Sequence, residues 1–194
     1  TTITNSGTIT ATSANSGMSI NQSDGTVVNN TGTISGVGMG MQSSNVDNST
    51  ITNHGTISAS SNTGYGILYE NDGTNRVNNT LNNYGTISAT SGSLADGIGI
   101  GKGASPMFNI TINNYGTISG SDDSIKMLNS SNTGINIVTK GDGTYVGEIN
   151  LNDSSTTMTL DCSISKDQKI EIHNKANMVI TNNLCGNDTY EILD

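Results

Sequence analysis

The sequence predicts an all-β fold, a parallel β-helix (β-solenoid) with coils of about 23–31 residues. Three observations carry this. One polar-apolar pattern recurs five times, an alternating block follows each copy, and the composition is ordered yet too polar for an ordinary globule. Only 31% of residues are hydrophobic and tryptophan is missing, but charged residues make only 12% and proline occurs once. Disordered chains of similar polarity are usually rich in charge and proline. Order with so little apolar material calls for a narrow core repeated many times.

The recurring pattern is apolar-x-Asn-x-Gly-Thr-Ile-Ser/Thr, as in Ile51-Thr-Asn53-His54-Gly55-Thr56-Ile57-Ser58. Its glycines Gly7, Gly32, Gly55, Gly85 and Gly116 lie 25, 23, 30 and 31 residues apart. If each repeat is one coil, equivalent residues stack about 4.8 Å apart on neighbouring coils. Ile3, Val28, Ile51, Leu81 and Ile112 then form one interior column, and Ile9, Ile34, Ile57, Ile87 and Ile118 a second. Asn5, Asn30, Asn53, Asn83 and Asn114 form a structural corner, because asparagine tolerates left-handed backbone and stacked amides bond to one another along the axis. The corner glycines supply either positive φ or close backbone approach.

A second block follows each anchor at a distance of 6 to 12 residues from the glycine. Its copies are Gly17-Met-Ser-Ile20, Gly38-Met-Gly-Met41, Gly66-Ile-Leu-Tyr69, Gly97-Ile-Gly-Ile100 and Ser124-Ile-Lys-Met127. Apolar residues alternate with small or polar ones, the period of a half-buried strand. The changing distance marks a loop of variable length between two fixed strands. Helical periodicity is missing, and the glycine and β-branched content opposes it.

Regular repeats occupy residues 1–137. Across 138–194 the anchor disappears while alternation continues at Glu148-Ile-Asn-Leu151, Met158-Thr-Leu160, Lys169-Ile-Glu-Ile172 and Met178-Val-Ile180. These predict degenerate coils or a C-terminal cap. At roughly 25 residues per coil the chain makes about seven or eight coils.

The net charge of −9, with one arginine and six lysines, opposes nucleic-acid binding, which needs clustered basic residues to release counterions. It equally disfavours docking on anionic lipid. No stretch approaches the roughly 20 apolar residues of a membrane-spanning helix, so no membrane insertion by this segment is expected. The chain opens in mid-pattern at Thr1-Thr2-Ile3, which suggests an excerpt of a longer precursor.

At these repeats the sequence resembles the passenger regions of bacterial autotransporters, the type V secretion family. Tandem I-x-N-x-G-T-I-S-G units followed by a Gly-Ile-x-Ile strand are common there, and Val28–Gly36 and Gly97-Ile-Gly-Ile100 match them here. Filamentous-haemagglutinin-like exoproteins of two-partner secretion, with N-x-G-x-I repeats, are a close second. The likeness covers residues 1–137 by motif and the remainder by composition. It implies a right-handed parallel β-helix exported to the cell surface or medium, and it is specific for architecture rather than activity. Cys162 and Cys185 are consistent with export: they lie 23 residues apart, close to one coil, so a disulfide between adjacent coils is expected, with two buried free thiols as the alternative. C-x-x-C spacing is absent.

Catalytic chemistry is sparse. His54 and His173 are the only imidazoles, and no G-x-S-x-G elbow occurs. Polysaccharide lyases and tailspike hydrolases share the β-helix, so fold alone leaves a carbohydrate-active enzyme open. Hydrolases need paired carboxylates at defined separation. The only dense acidic spots are Glu70-Asn-Asp72 and Asp122-Asp123. Asp122-Asp123 can ligate Ca²⁺, but a solvated loop explains the pair more simply. No catalytic residue, cofactor or metal is expected.

Two outward columns remain. His54, Tyr84 and Tyr115 continue a column begun by Ser6 and Thr31, an aromatic stripe that either anchors a partner or sugar ring or merely stabilises neighbouring strands. Thr8, Thr33, Thr56, Thr86 and Thr117 form a ladder of the kind ice-binding solenoids use, but loops of variable length would roughen that face.

The expected function is therefore non-catalytic: a secreted or surface-displayed passenger for adhesion, self-association or host-receptor binding. Its partner would be a host-cell receptor, a surface protein or glycan, or another copy of itself. Loops at 59–65, 70–80, 89–96 and 101–108 are the expected binding face, since insertions in repeat arrays often cluster on one side. A soluble released ligand, a structural stalk or filament segment, and a carbohydrate-active enzyme are the alternatives.

Overall fold

The computed structural model is an all-β parallel solenoid of about seven turns. It describes residues 1–73, 76–152, 154–161, 168–173, 178–183 and 190–193. Strands are numbered in chain order. One face is an eight-stranded parallel sheet of β1 (Thr2–Asn5), β4 (Val27–Asn30), β7 (Thr50–Asn53), β11 (Thr80–Asn83), β15 (Thr111–Asn114), β17 (Ile135–Thr139), β19 (Thr156–Asp161) and β21 (Met178–Asn183). A second face stacks β2 (Thr8–Thr10), β5 (Thr33–Gly36), β8 (Thr56–Ala59) and β12 (Thr86–Ala89). A third stacks β3 (Ser16–Asn21), β6 (Met39–Ser44), β9 (Tyr65–Glu70) and β13 (Asp96–Lys102). On the fifth coil one long strand, β16 (Thr117–Met127), runs through both of these faces, pairing β12 with its first half and β13 with its second. Beyond it come β18 (Thr144–Asn150), β20 (Gln168–His173) and β22 (Tyr190–Leu193), while β10 (Arg76–Val77) and β14 (Met107–Phe108) form a small ribbon.

The anchors make strands because Thr-Ile/Leu-x-Asn alternates between half-buried and buried positions, as β7, β11 and β15 all show. The predicted interior columns pair in register. The first extends through Ile137 and Met158, with the exposed Ile180 following in register, and the second is described as far as Tyr145, which stands in place of isoleucine. Burying one such side chain contributes roughly 1.5–3 kcal/mol, so repetition supplies the core that the composition lacks.

At the corner, the Nδ2 of each anchor asparagine donates to the Oδ1 of the next at 2.8–2.9 Å, from Asn5 through Asn30, Asn53 and Asn83 to Asn114. The ladder stops where Thr139 takes the asparagine position. There Asn114 Nδ2 donates to the Thr144 carbonyl at 3.1 Å, and Thr139 Oγ1 lies 2.9 Å from the Tyr145 hydroxyl.

Two expectations about the corner are resolved differently. The anchor asparagines are extended, not left-handed. Positive φ belongs instead to Gly25, Asn48, Asn78, Asn109 and Gly134 (φ 65, 53, 59, 53 and 67), an exposed column just ahead of the first-face strands. A buried amide can stack on its neighbour only if its backbone stays in sheet register, so the turn is made where side chains meet solvent. The corner glycines likewise lack positive φ. Their reason is close approach: a Cβ on Gly32, Gly55, Gly85 or Gly116 would overlap the carbonyl oxygen of the corner glycine one coil earlier.

In the second block Met18 pairs with Met41, and Met41 with Ile67. Gly40, not Gly38, therefore stacks in the column of Gly17, Gly66 and Gly97. A slip of two residues keeps every side chain on the same face, so alternation alone does not detect it. Those glycines let the second and third faces meet: a Cβ on Gly66 or Gly97 would lie 2.7 or 2.9 Å from Cγ2 of Ile87 or Ile118.

Strands β17 to β22 continue coil on coil by parallel pairing with their predecessors. Cys162 and Cys185, the expected disulfide, lie outside the described residues. Among the described residues no helix is long and apolar enough to cross a membrane.

Candidate functional site

The aromatic stripe is a stack. The His54 and Tyr84 rings are 4.6 Å apart at 5°, and Tyr84 and Tyr115 are 4.5 Å apart at 15°. These separations follow from in-register parallel strands, which hold equivalent side chains about 4.8 Å apart. Tyr115 precedes the coil on which Lys140 takes the same position, and the Lys140 ammonium lies 5.7 Å from the Tyr115 ring centre. Both faces of Tyr84 and of Tyr115 are thus covered by column neighbours. Tyr84 remains 44% exposed, so the stripe offers ring edges and hydroxyls to a partner rather than open ring faces.

The predicted loops stack in pairs at two corners, not on one. Residues 60–64 and 90–95 join the second face to the third, and the Asn62 side chain accepts from Ser93 N–H at 2.8 Å. Residues 71–73 and 76–79 on one coil, and 103–110 on the next, lie between the third face and the first. There Asn71 Nδ2 donates to the Pro106 carbonyl at 2.9 Å, Ser105 Oγ to the Gly73 carbonyl, and β10 pairs with β14. The two longest coils therefore carry two organised projections that flank the third face.

That third face also carries an acidic column. Asp96 Oδ1 accepts from Asp123 N–H at 3.2 Å, Asp123 pairs with Glu148, and Glu171 precedes Ile172, the partner of Ile149. Carboxylates thus recur on four consecutive coils. Two basic side chains sit among these carboxylates. Lys126 Nζ lies 2.7 Å from Asp122, 2.8 Å from Asp123 and 3.5 Å from Asp96. His173 Nε2 lies 3.0 Å from Glu171 Oε1 and 3.5 Å from Glu148 Oε2.

The two clusters differ in burial. Side chains of Asp96 and Asp123 are 4% and 2% exposed, and Asp123 Oδ1 has no hydrogen-bond partner. Burial pushes the Asp96 carboxyl up to about 6, against the opposing charge of Lys126, and raises Asp123 in the same direction. Burial also works against the Lys126 charge, but its hydrogen bonds to Asp122 and Asp123 and the nearby Asp96 outweigh that and hold the ammonium above its usual range. The Asp122-Asp123 pair considered for calcium is thus centred on a protein ammonium. Glu148, Glu171 and His173 lie out in solvent, and the hydrogen bond to Glu171, with the Glu148 charge beside it, raises the imidazole above its ordinary value.

Sequence reasoning missed this column because β-bulges hide it. Asp123 stands two residues before the interior Ile125, whereas Glu148 directly precedes the equivalent Ile149, and the register shifts between them. The readable signal was an acid one or two residues ahead of Ile98, Ile125, Ile149 and Ile172.

Fold and surface together define a parallel β-solenoid repeat protein. Comparison with protein-family models, with curated proteins and with solved structures finds no match.

Proposed function

We propose that this chain is a non-catalytic segment of an exported or surface-displayed rod that binds through its side projections, in the manner expected of an autotransporter passenger or a related exoprotein. The observation that supports it is the contrast between apolar interior columns held in register and a third-to-first turn that is longest on coils three and four. Asn62 is tied to Ser93, and Asn71 and Gly73 to Pro106 and Ser105, by specific hydrogen bonds. Ordered insertions on a rigid scaffold are a common way of building a recognition surface. The partner is a host receptor, a surface glycan or protein, or another copy of the rod.

A non-catalytic role is favoured by the Lys126 cluster, whose buried carboxylates are tied up by an internal cation rather than facing a cleft. The test is to shorten 71–79 and 103–110 together to the length of the second coil's turn, 45–49, then measure binding to host cells and self-association. Loss of either with an unchanged circular dichroism spectrum supports the reading. Full retention of both would mean a passive stalk.

A further inference from the structure

The geometry points to a transition-metal site formed by Glu148, Glu171 and His173, bridging strands β18 and β20. One ligand atom from each residue lies within 4.8 Å of the others. Glu171 and His173 are two apart on β20, so both project from the same side of the strand. Glu148 meets them from the neighbouring coil, beside the Ile149–Ile172 pair.

The separations suit an ion such as Zn²⁺. Nitrogen and oxygen ligands about 2.1 Å from a tetrahedral ion stand roughly 3.4 Å from one another. His173 Nε2 is 3.0 Å from Glu171 Oε1 and 3.5 Å from Glu148 Oε2, so little movement is needed to place an ion among them. Imidazole with two carboxylates selects zinc-like cations over Ca²⁺, which prefers six to eight oxygens. Side-chain exposures of 35%, 41% and 47% leave the site open to an incoming ion and to water as the remaining ligands.

The Lys126 cluster makes a natural contrast. It has three carboxylates in a similar arrangement, but an ammonium holds their centre and no nitrogen ligand is present. On the coils of β18 and β20 the asparagine ladder has ended, with Thr139 and Leu160 in its column. A bound ion there would staple two coils that lack that tie.

The experiment uses the full 194-residue chain, whose sequence has only two histidines, so imidazole NMR signals report each separately. Zn²⁺ added to chelator-treated protein is expected to shift the His173 signals while those of His54 stay in place, and to raise the thermal unfolding midpoint. His173→Ala, and separately Glu148→Gln and Glu171→Gln, should weaken Zn²⁺ binding at least tenfold by calorimetry, while Asp122→Asn leaves it unchanged. Ca²⁺ should bind at least tenfold more weakly than Zn²⁺. An unmoved His173 signal under excess Zn²⁺ overturns the inference. So does Zn²⁺ affinity that survives in all three variants, which would place the ion on the thiols or on diffuse acidic charge, or equal affinity for Ca²⁺.

Discussion

Asn53 sits at the middle of the amide ladder, fully buried, and its replacement tests what the corner is for. Its Oδ1 accepts from Asn30 at 2.8 Å, and its Nδ2 donates to Asn83 Oδ1 at 2.9 Å, to the Gly55 carbonyl at 3.2 Å and to the Thr86 carbonyl at 3.1 Å. In Asn53→Ala, Asn30 Nδ2 keeps the Gly32 and Thr56 carbonyls, and the Gly55 carbonyl keeps the Thr86 N–H. Asn83 Oδ1 loses its donor. An orphaned buried acceptor costs about 1–3 kcal/mol and each lost net bond about 1, so the total loss is about 2–4 kcal/mol. Asn53→Asp keeps the shape but sets a carboxylate oxygen against Asn83 Oδ1 in the interior, and should cost more than alanine at neutral pH. Burial raises the pKa of that introduced acid in the folded state. Its penalty is therefore full above the folded pKa and fades as pH falls, because the protonated acid donates again. Asn114→Ala, at the ladder's end, should cost less, since Asn114 Nδ2 donates to the Thr144 backbone carbonyl instead of to a further asparagine. Urea unfolding followed by far-UV circular dichroism measures all three. Equal losses for Asn53→Ala and Asn53→Asp at neutral pH, or a loss under about 1 kcal/mol for alanine, would refute the account of the ladder.

Gly85→Ala should be far worse than its exposure suggests, because the new methyl meets the Gly55 carbonyl rather than a movable side chain. A loss of 3 kcal/mol or more, about the upper range for point changes, is expected in the same assay. Gly7→Ala, where nothing lies within reach, should be nearly neutral. Tyr69→Phe removes a buried hydroxyl that has no hydrogen-bond partner, and should stabilise the fold by about 1 kcal/mol. For Asp96, the carboxyl is raised from 3.8 to about 6 on folding. The folded state then binds more protons between those values, so stability falls as pH rises through that window and the full cost is present above it. Two units correspond to about 3 kcal/mol. Asp96→Asn should recover about 2–3 kcal/mol at pH 8 on that scale and flatten the pH dependence of the unfolding midpoint between 4 and 6. A destabilised Asp96→Asn would show that the Lys126 contact outweighs burial.

What could be read from the chain alone was whatever repeats without interruption. Ile51, Asn53, Gly55 and Ile57 recur at fixed offsets within each coil, so one argument about period and stacking places all their counterparts, and the parallel pairing bears this out. The stacking of His54, Tyr84 and Tyr115 follows from the same offsets. Single-residue geometry was less accessible. A glycine in a tight corner is compatible with positive φ or with close approach, and only the neighbouring coil, with its carbonyl at the place of the missing Cβ, decides between them.

The tertiary structure alone decided features that cross a change of register. Gly40 rather than Gly38 stacks with Gly17, because a two-residue slip leaves the alternation intact. The acids Asp96, Asp123, Glu148 and Glu171 form a column only after bulges in β16 bring unequal sequence offsets into line. Lys126 and His173 each then meet, besides carboxylates of their own strand, one from the preceding coil, Asp96 and Glu148. Periodicity is a property of one strand and is written in its sequence, whereas the phase between neighbouring coils is set by loops and bulges that only the folded chain reveals.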